Sequence, residues 1–194
     1  MSYSILKSAF NASARVVEAV ASWLGLATID IDPATAAVNA EGLFVRADPA
    51  TGLTGYYNKQ GQLHRENGPA LVVRDPVSGV VTAETWCQNG RPWRDDGPAE
   101  IKRDAETGVT TFEGWWQGGK PQRLDGPAEI TRDAKTGVAT YEAWRKDGQP
   151  HRDGGPALTV RDADTGVATR EEYWQDGEQV AQRPARSFGG GPKP

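Results

Sequence analysis

The 194-residue chain has one cysteine, Cys87, two histidines and one methionine. A single cysteine cannot close an internal disulfide, which excludes a disulfide-stapled secreted scaffold. Basic residues number 22 against 26 acidic ones, for a net charge of -4. That balance lacks the positive field that phosphate-backbone binding needs, so no nucleic acid is expected as a partner. No apolar run is long enough to cross a membrane. Glycine and proline are abundant instead, 23 and 13 respectively. Their combined share exceeds the roughly 12% of average usage and predicts many turns over a thin core.

The first 27 residues superficially resemble a signal peptide. Asn11, Arg15 and Glu18 interrupt the apolar stretch, so no classical signal peptide is expected. On a helix, Ser4, Lys7, Ser8, Asn11, Arg15, Glu18 and Ser22 form a polar stripe, while Phe10, Val17, Trp23 and Leu24 fall among the apolar residues opposite. The pattern predicts an amphipathic helix of roughly 20 residues ending near Gly25, where a glycine stop is expected. Its apolar face would cap the following domain, dock a protein partner or promote self-assembly. A membrane surface fits less well, because only two cations lie on the polar face and Glu18 offsets them. Residues 28–42 read as a linker.

An internal repeat dominates the remainder. Gly-Pro-Ala recurs at Gly68, Gly97, Gly126 and Gly155, always 29 residues apart. In the same register an arginine precedes each glycine by three residues (Arg65, Arg94, Arg123, Arg152), and an Arg-Asp pair begins six residues after it. A turn glycine (Gly79, Gly108, Gly137, Gly166), a threonine (Thr82, Thr111, Thr140, Thr169) and a glutamate (Glu84, Glu113, Glu142, Glu171) follow. An aromatic column closes each unit at Tyr57, Trp86, Trp115, Trp144 and Tyr173, with a glycine four residues later. Residues 42–57 form a shortened first copy, suited to a terminal capping unit. Residues 43–182 therefore hold four to five repeats. The tail, residues 183–194, is basic and rich in Gly and Pro, and is expected to be disordered.

Each unit reads as a β-hairpin. Two runs of β-prone residues flank segments such as Asp104-Ala-Glu-Thr-Gly108, where aspartate caps the turn and glycine accepts a positive φ. Alternation puts Val109, Thr111, Glu113 and Trp115 on a face that repeats between copies, and Thr110, Phe112, Gly114 and Trp116 on a face that varies. The repeating face is expected to form stacked ladders at the repeat interfaces and the varying face to meet solvent or a partner. A second glycine turn reverses the chain before each Gly-Pro-Ala. The predicted fold is mainly β: an elongated antiparallel array of hairpins of 29-residue period with an N-terminal amphipathic α-helix.

The segments Trp86-Cys-Gln-Asn-Gly90-Arg-Pro-Trp-Arg94 and Trp144-Arg-Lys-Asp-Gly148-Gln-Pro-His-Arg152 resemble the MORN repeat superfamily, in particular bacterial and phage variants reading Trp-Tyr-x-Asn-Gly-x-x-His-Arg-x-Asp-Gly-Pro-Ala. The 29-residue period is longer than the usual MORN unit, and the paired Tyr-x-Gly signature is absent. The resemblance implies consecutive hairpins forming a long curved sheet used for protein or lipid contact without chemistry, in the cytoplasm or in a virion; some bacterial relatives carry an antitoxin-like label.

No catalytic, metal or cofactor site is expected. His64 and His151 share a column three repeats apart, so two strands per repeat would separate them by about 29 Å, and even one by about 14 Å, too far to share a metal ion. Four equivalent glutamates are better read as partners of the arginine columns than as a glycosidase pair. The aromatics Trp93, Phe112, Trp116, Tyr141 and Trp174 do not recur as a column. Some should lie on the varying face, where exposed aromatics would anchor a protein partner or stack on sugar rings. The leading expectation is a non-enzymatic structural or interaction protein, binding a protein partner or its own copies. A glycan-binding module is the alternative, as is a secreted effector or immunity protein suggested by the serine-containing start and basic tail.

Overall fold

A computed structural model describes residues 37–181. The expected helix, much of the linker and the tail lie outside the described residues, as do Phe10, Val17, Trp23 and Leu24. Seventeen strands follow in order: β1 (Phe44–Asp48), β2 (Leu53–Tyr57), β3 (Leu71–Arg74), β4 (Val81–Thr85), β5 (Cys87–Gln88), β6 (Arg91–Pro92), β7 (Glu100–Arg103), β8 (Thr110–Gly114), β9 (Trp116–Gln117), β10 (Lys120–Pro121), β11 (Glu129–Arg132), β12 (Ala139–Ala143), β13 (Arg145–Lys146), β14 (Gln149–Pro150), β15 (Leu158–Arg161), β16 (Ala168–Gln175) and β17 (Glu178–Val180). No helix occurs among these residues, and none is long and apolar enough to cross a membrane.

Eleven strands form one antiparallel sheet in the order β1-β2-β3-β4-β7-β8-β11-β12-β15-β16-β17. Each repeat contributes a long hairpin such as β7–β8. It then turns through a small hairpin, β5–β6, β9–β10 or β13–β14, set apart from the main sheet. Adjacent small hairpins connect through backbone bonds: the Gly148 amide donates to the Pro121 carbonyl at 3.1 Å and the Gly177 amide to that of Pro150 at 3.0 Å.

Two turns set this path. At the long-hairpin tips, Asp104 accepts the Glu106 and Thr107 amides and the Thr107 hydroxyl, and Gly108 takes φ of 72°. Asp75, Asp133 and Asp162 hold their turns in the same way. In the small hairpins Asn89-Gly90, Gly118-Gly119 and Asp147-Gly148, and between β16 and β17 Asp176-Gly177, all have positive φ at both residues, the two-residue turn whose twist matches its flanking strands.

The recurring threonine has a definite job. Register shifts between Lys102 and Arg103 opposite the pairs Phe112 and Thr110, so Thr111 is the extra residue of a β-bulge. Its hydroxyl donates to the Lys102 carbonyl at 3.4 Å. Thr82, Thr140 and Thr169 make the equivalent bond at the same shift in their own hairpins.

The aromatic column begins one residue earlier than the 29-residue spacing predicts. The Tyr56 amide donates to the Ala70 carbonyl at 2.7 Å, as Trp86, Trp115 and Trp144 do to Ala99, Ala128 and Ala157. The turn after β2 holds one more residue, with Asn58 bonded to Gln62 across it, and this displaces Tyr57 into the neighbouring column. The first hairpin also lacks the bulge.

Candidate interaction surface

The repeating face is a charged and aromatic ladder. Arg65, Arg94, Arg123 and Arg152 lie over the rings of Tyr56, Trp86, Trp115 and Trp144, with guanidinium carbons 3.9–4.1 Å from the ring centroids. Such stacks contribute about 0.5–2 kcal/mol each, depending on desolvation. They also explain the glycine of Gly-Pro-Ala: a Cβ on Gly126 would meet the Arg123 guanidinium at 2.7 Å. Beside them, Arg103 donates to Glu84 at 2.7 Å and Arg132 to Glu113 at 2.8 Å, while Arg161 pairs with Glu142. Each pair joins the second strand of one repeat to the first strand of the next.

The varying face differs from expectation. Most of its positions nearest the small hairpins are buried, and Trp116 is only 3% exposed. The segments that fold back account for this: Leu63 and, from β5, Cys87 gather with Leu53, Tyr57 and Leu71 of the main sheet in one core cluster. The filling is by matched pairs two residues apart. The Tyr57 ring lies over Gly55, and the Trp116 indole nitrogen is 2.8 Å from where a Cβ on Gly114 would stand. Thr85 accompanies Cys87, Ala143 accompanies Arg145, and Glu172 accompanies Trp174, whose indole donates to it at 3.0 Å. Large residues sit beside small or hydrogen-bonding ones, so the identities vary while the space is filled.

None of the five aromatics read as exposed is fully so. Trp116 is core; Trp93, Phe112, Tyr141 and Trp174 are half-buried. Lys102 approaches the Phe112 ring at 5.4 Å. Burial, followed by the nearby Glu129 carboxylate, pushes the Tyr141 hydroxyl up to about 12. Each of these rings is at least partly covered.

This face also holds charge. Arg145 and Glu129 are both buried and 3.1 Å apart, and Glu100 is buried beside Lys102 at 3.6 Å. Desolvation raises the Glu100 carboxyl above its usual range. Desolvation likewise pushes the Cys87 thiol up to about 12, which leaves it without the thiolate character of a nucleophile.

The histidines are turn acceptors. His64 Nδ1 accepts the Asn89 amide at 3.2 Å and His151 Nδ1 accepts the Asp176 amide at 3.1 Å, each 25 residues on. Gln122 serves Asp147 through its side-chain oxygen at 3.0 Å. Trp93 occupies the same column and covers the Gly118 turn. The receiving residue has positive φ in all four cases, a link that the 29-residue spacing contains but that only the backbone reveals.

Exposed apolar side chains lie at the long-hairpin tips, where Val77 is 94% exposed and Val80 and Val167 also face solvent, and elsewhere, at Val38, Leu124 and Val180. Val80, Val109, Val138 and Val167 follow the four turn glycines at 29-residue spacing. Among the described residues, no group of three or more His, Cys, Asp or Glu is arranged to hold a metal ion. The chain matches no protein family, no curated protein and no solved structure.

Proposed function

We propose that the protein is a non-enzymatic structural or interaction protein, an elongated hairpin array of the kind the MORN resemblance implies. The N-terminal segment would dock a partner or join copies. The supporting observation is how the polar residues are used. Carboxylates of the turns hold backbone amides, glutamates of the ladder hold arginines of the next repeat, and both histidines cap turns. These groups serve repeat geometry, and the result is a regular surface on which ladder and hairpin tips recur at one spacing. A regular surface suits contact with a protein partner or another copy.

Light scattering coupled to size-exclusion chromatography tests the reading on the full chain and on Val17→Glu/Leu24→Glu, which places charge on the apolar side of the N-terminal segment. An oligomer that becomes a monomer with an unchanged far-ultraviolet spectrum supports an assembly role. Monomers in both cases, with the variant less stable, would make that segment a cap and defeat the assembly reading.

A further inference from the structure

The arginine stacks of the repeating face are alike in all but one respect. Arg65, Arg94 and Arg123 each hold a carboxylate on Nε at 2.9 Å. For Arg94 and Arg123 it comes from the same turn, where Asp96 and Asp125 stand two residues on. Beside Arg65 that column holds Asn67, and Glu41 takes the place from a different segment, its second oxygen accepting from Arg65 Nη2 at 3.3 Å. The stack therefore takes a carboxylate whether or not its own turn supplies one.

Arg152 is seated like the other three. Its guanidinium carbon lies 3.9 Å from the Trp144 ring centroid, and its Nη1 donates to the Pro156 carbonyl at 3.1 Å as Arg94 Nη1 does to that of Pro98 at 3.4 Å. The column of Asp96 and Asp125 now holds Gly154, which turns at φ of 79°, a left-handed conformation that neither aspartate takes. Asp153 does not make up the loss, because its carboxylate lies 3.7 Å from His151. Among the described residues no carboxylate pairs with Arg152. The turn before it departs in a complementary way. Glu66, Asp95 and Asp153 share a column that holds Leu124 at this turn, 84% exposed. An unmatched cation and an exposed leucine thus stand on neighbouring turns, one repeat or two strand spacings apart, about 10 Å.

We propose that these two turns form a docking site for an acidic segment of a partner protein. An Asp or Glu side chain of that segment occupies on Arg152 the place that Glu41 occupies on Arg65, and an apolar side chain about three extended residues away covers Leu124. The site rests on the interaction reading above and gives it a partner chemistry. Charge complementarity selects the segment, since a guanidinium already stacked on Trp144 and bonded to Pro156 offers Nε as a donor that needs little further ordering.

NMR of the arginine Nε–Hε groups on the full chain tests this. The probes are acetyl-Leu-Ala-Ala-Glu-amide and acetyl-Glu-Ala-Ala-Leu-amide, which present the two side chains in both directions and carry no other carboxylate. In the free chain the Arg152 Hε should exchange with water faster than those of Arg94 and Arg123, and one probe should shift it saturably while leaving those two in place. The same probe with Gln for Glu should have no effect. Leu124→Ser should raise the concentration required about tenfold. Gly154→Asp should abolish the response by supplying the carboxylate internally, and Arg152→Gln, followed on the Leu124 methyl signals, should abolish it without altering the turn. The proposal is overturned if the Arg152 Hε of the free chain is already as protected as that of Arg94, if neither probe shifts it, or if the Gln probe shifts it equally. None of these readouts involves the N-terminal segment, so the docking site can fail while the light-scattering result stands, and the reverse.

Discussion

The two faces of the sheet meet the same packing demand four times by different routes. On the repeating face, one side chain at each column satisfies a backbone requirement that recurs unchanged: an aspartate for the turn amides, a threonine for the bulge carbonyl, an arginine over a ring and a glycine beneath it. On the varying face the requirement is volume, and volume can be filled by Tyr57 over Gly55, Trp116 over Gly114, or Arg145 beside Ala143. Repetition of identity therefore marks backbone geometry here, and variation does not mark exposure. The intuition that a varying face is the exposed one fails because the small hairpins cover it.

The sharpest break of this contrast is Arg145→Ala. It removes the cation 3.1 Å from Glu129 while leaving a carboxylate in the interior, and should cost about 3–5 kcal/mol in chemical denaturation. Replacing both residues with apolar ones, Glu129→Leu with Arg145→Met, should recover most of that loss, since Leu158 already occupies the column of Glu129. A double variant as unstable as the single one would show that the ion pair itself, and not the filled volume, holds this repeat.

Next in size is the pair at β8 and β9. Gly114→Thr sets a Cβ against the Trp116 indole and should cost about 1–3 kcal/mol by overpacking. Adding Trp116→Cys rebuilds the Thr85 and Cys87 combination of the preceding repeat. The two changes should couple favourably by at least about 1 kcal/mol in a double-mutant cycle. Additive losses would refute matched filling. On the repeating face, Thr111→Val keeps shape and deletes one hydroxyl bond, for about 1 kcal/mol. The same change at Thr82 or Thr140 should cost the same within a few tenths, an equality that the varying face should not show.

The hairpins, their turns and the period were legible because glycine at positive φ, turn aspartate and proline are fixed by local backbone geometry, which sequence states directly. Tyr57 was misassigned because one inserted turn residue leaves the spacing to the following glycine unchanged while moving the ring to another column. The burial of Trp116 was illegible for a different reason: it depends on Gly114, on Phe112 nearby and on a small hairpin folding back, none of which a face-by-face alternation contains. The role of the histidine column needs the positive φ of residues 25 positions away.

The finest distinction between the faces is in acid. The tip aspartates are lowered from a reference of 3.8; in Asp104 and Asp133 the leading cause is a backbone amide of the following threonine, and in Asp162 it is the Thr165 hydroxyl. A lowered carboxyl favours the folded state above its unfolded value and loses that contribution as pH falls through the folded one, so the tips weaken below about pH 4. Glu100 has the opposite sign. Desolvation raises it from 4.5, so stability is greatest below that value and declines as pH rises from there through the raised folded one. Glu100→Gln should therefore abolish a loss of stability that the unaltered protein shows above about pH 4.5, and leave the acid limb untouched. Asp104→Ala with Asp133→Ala should make the acid limb shallower, Asp75 and Asp162 retaining their share, and leave the upper one. Thermal melts across pH separate the two, and a Glu100→Gln profile parallel to that of the unaltered protein would mean that Lys102, 3.6 Å away, already compensates the buried carboxylate.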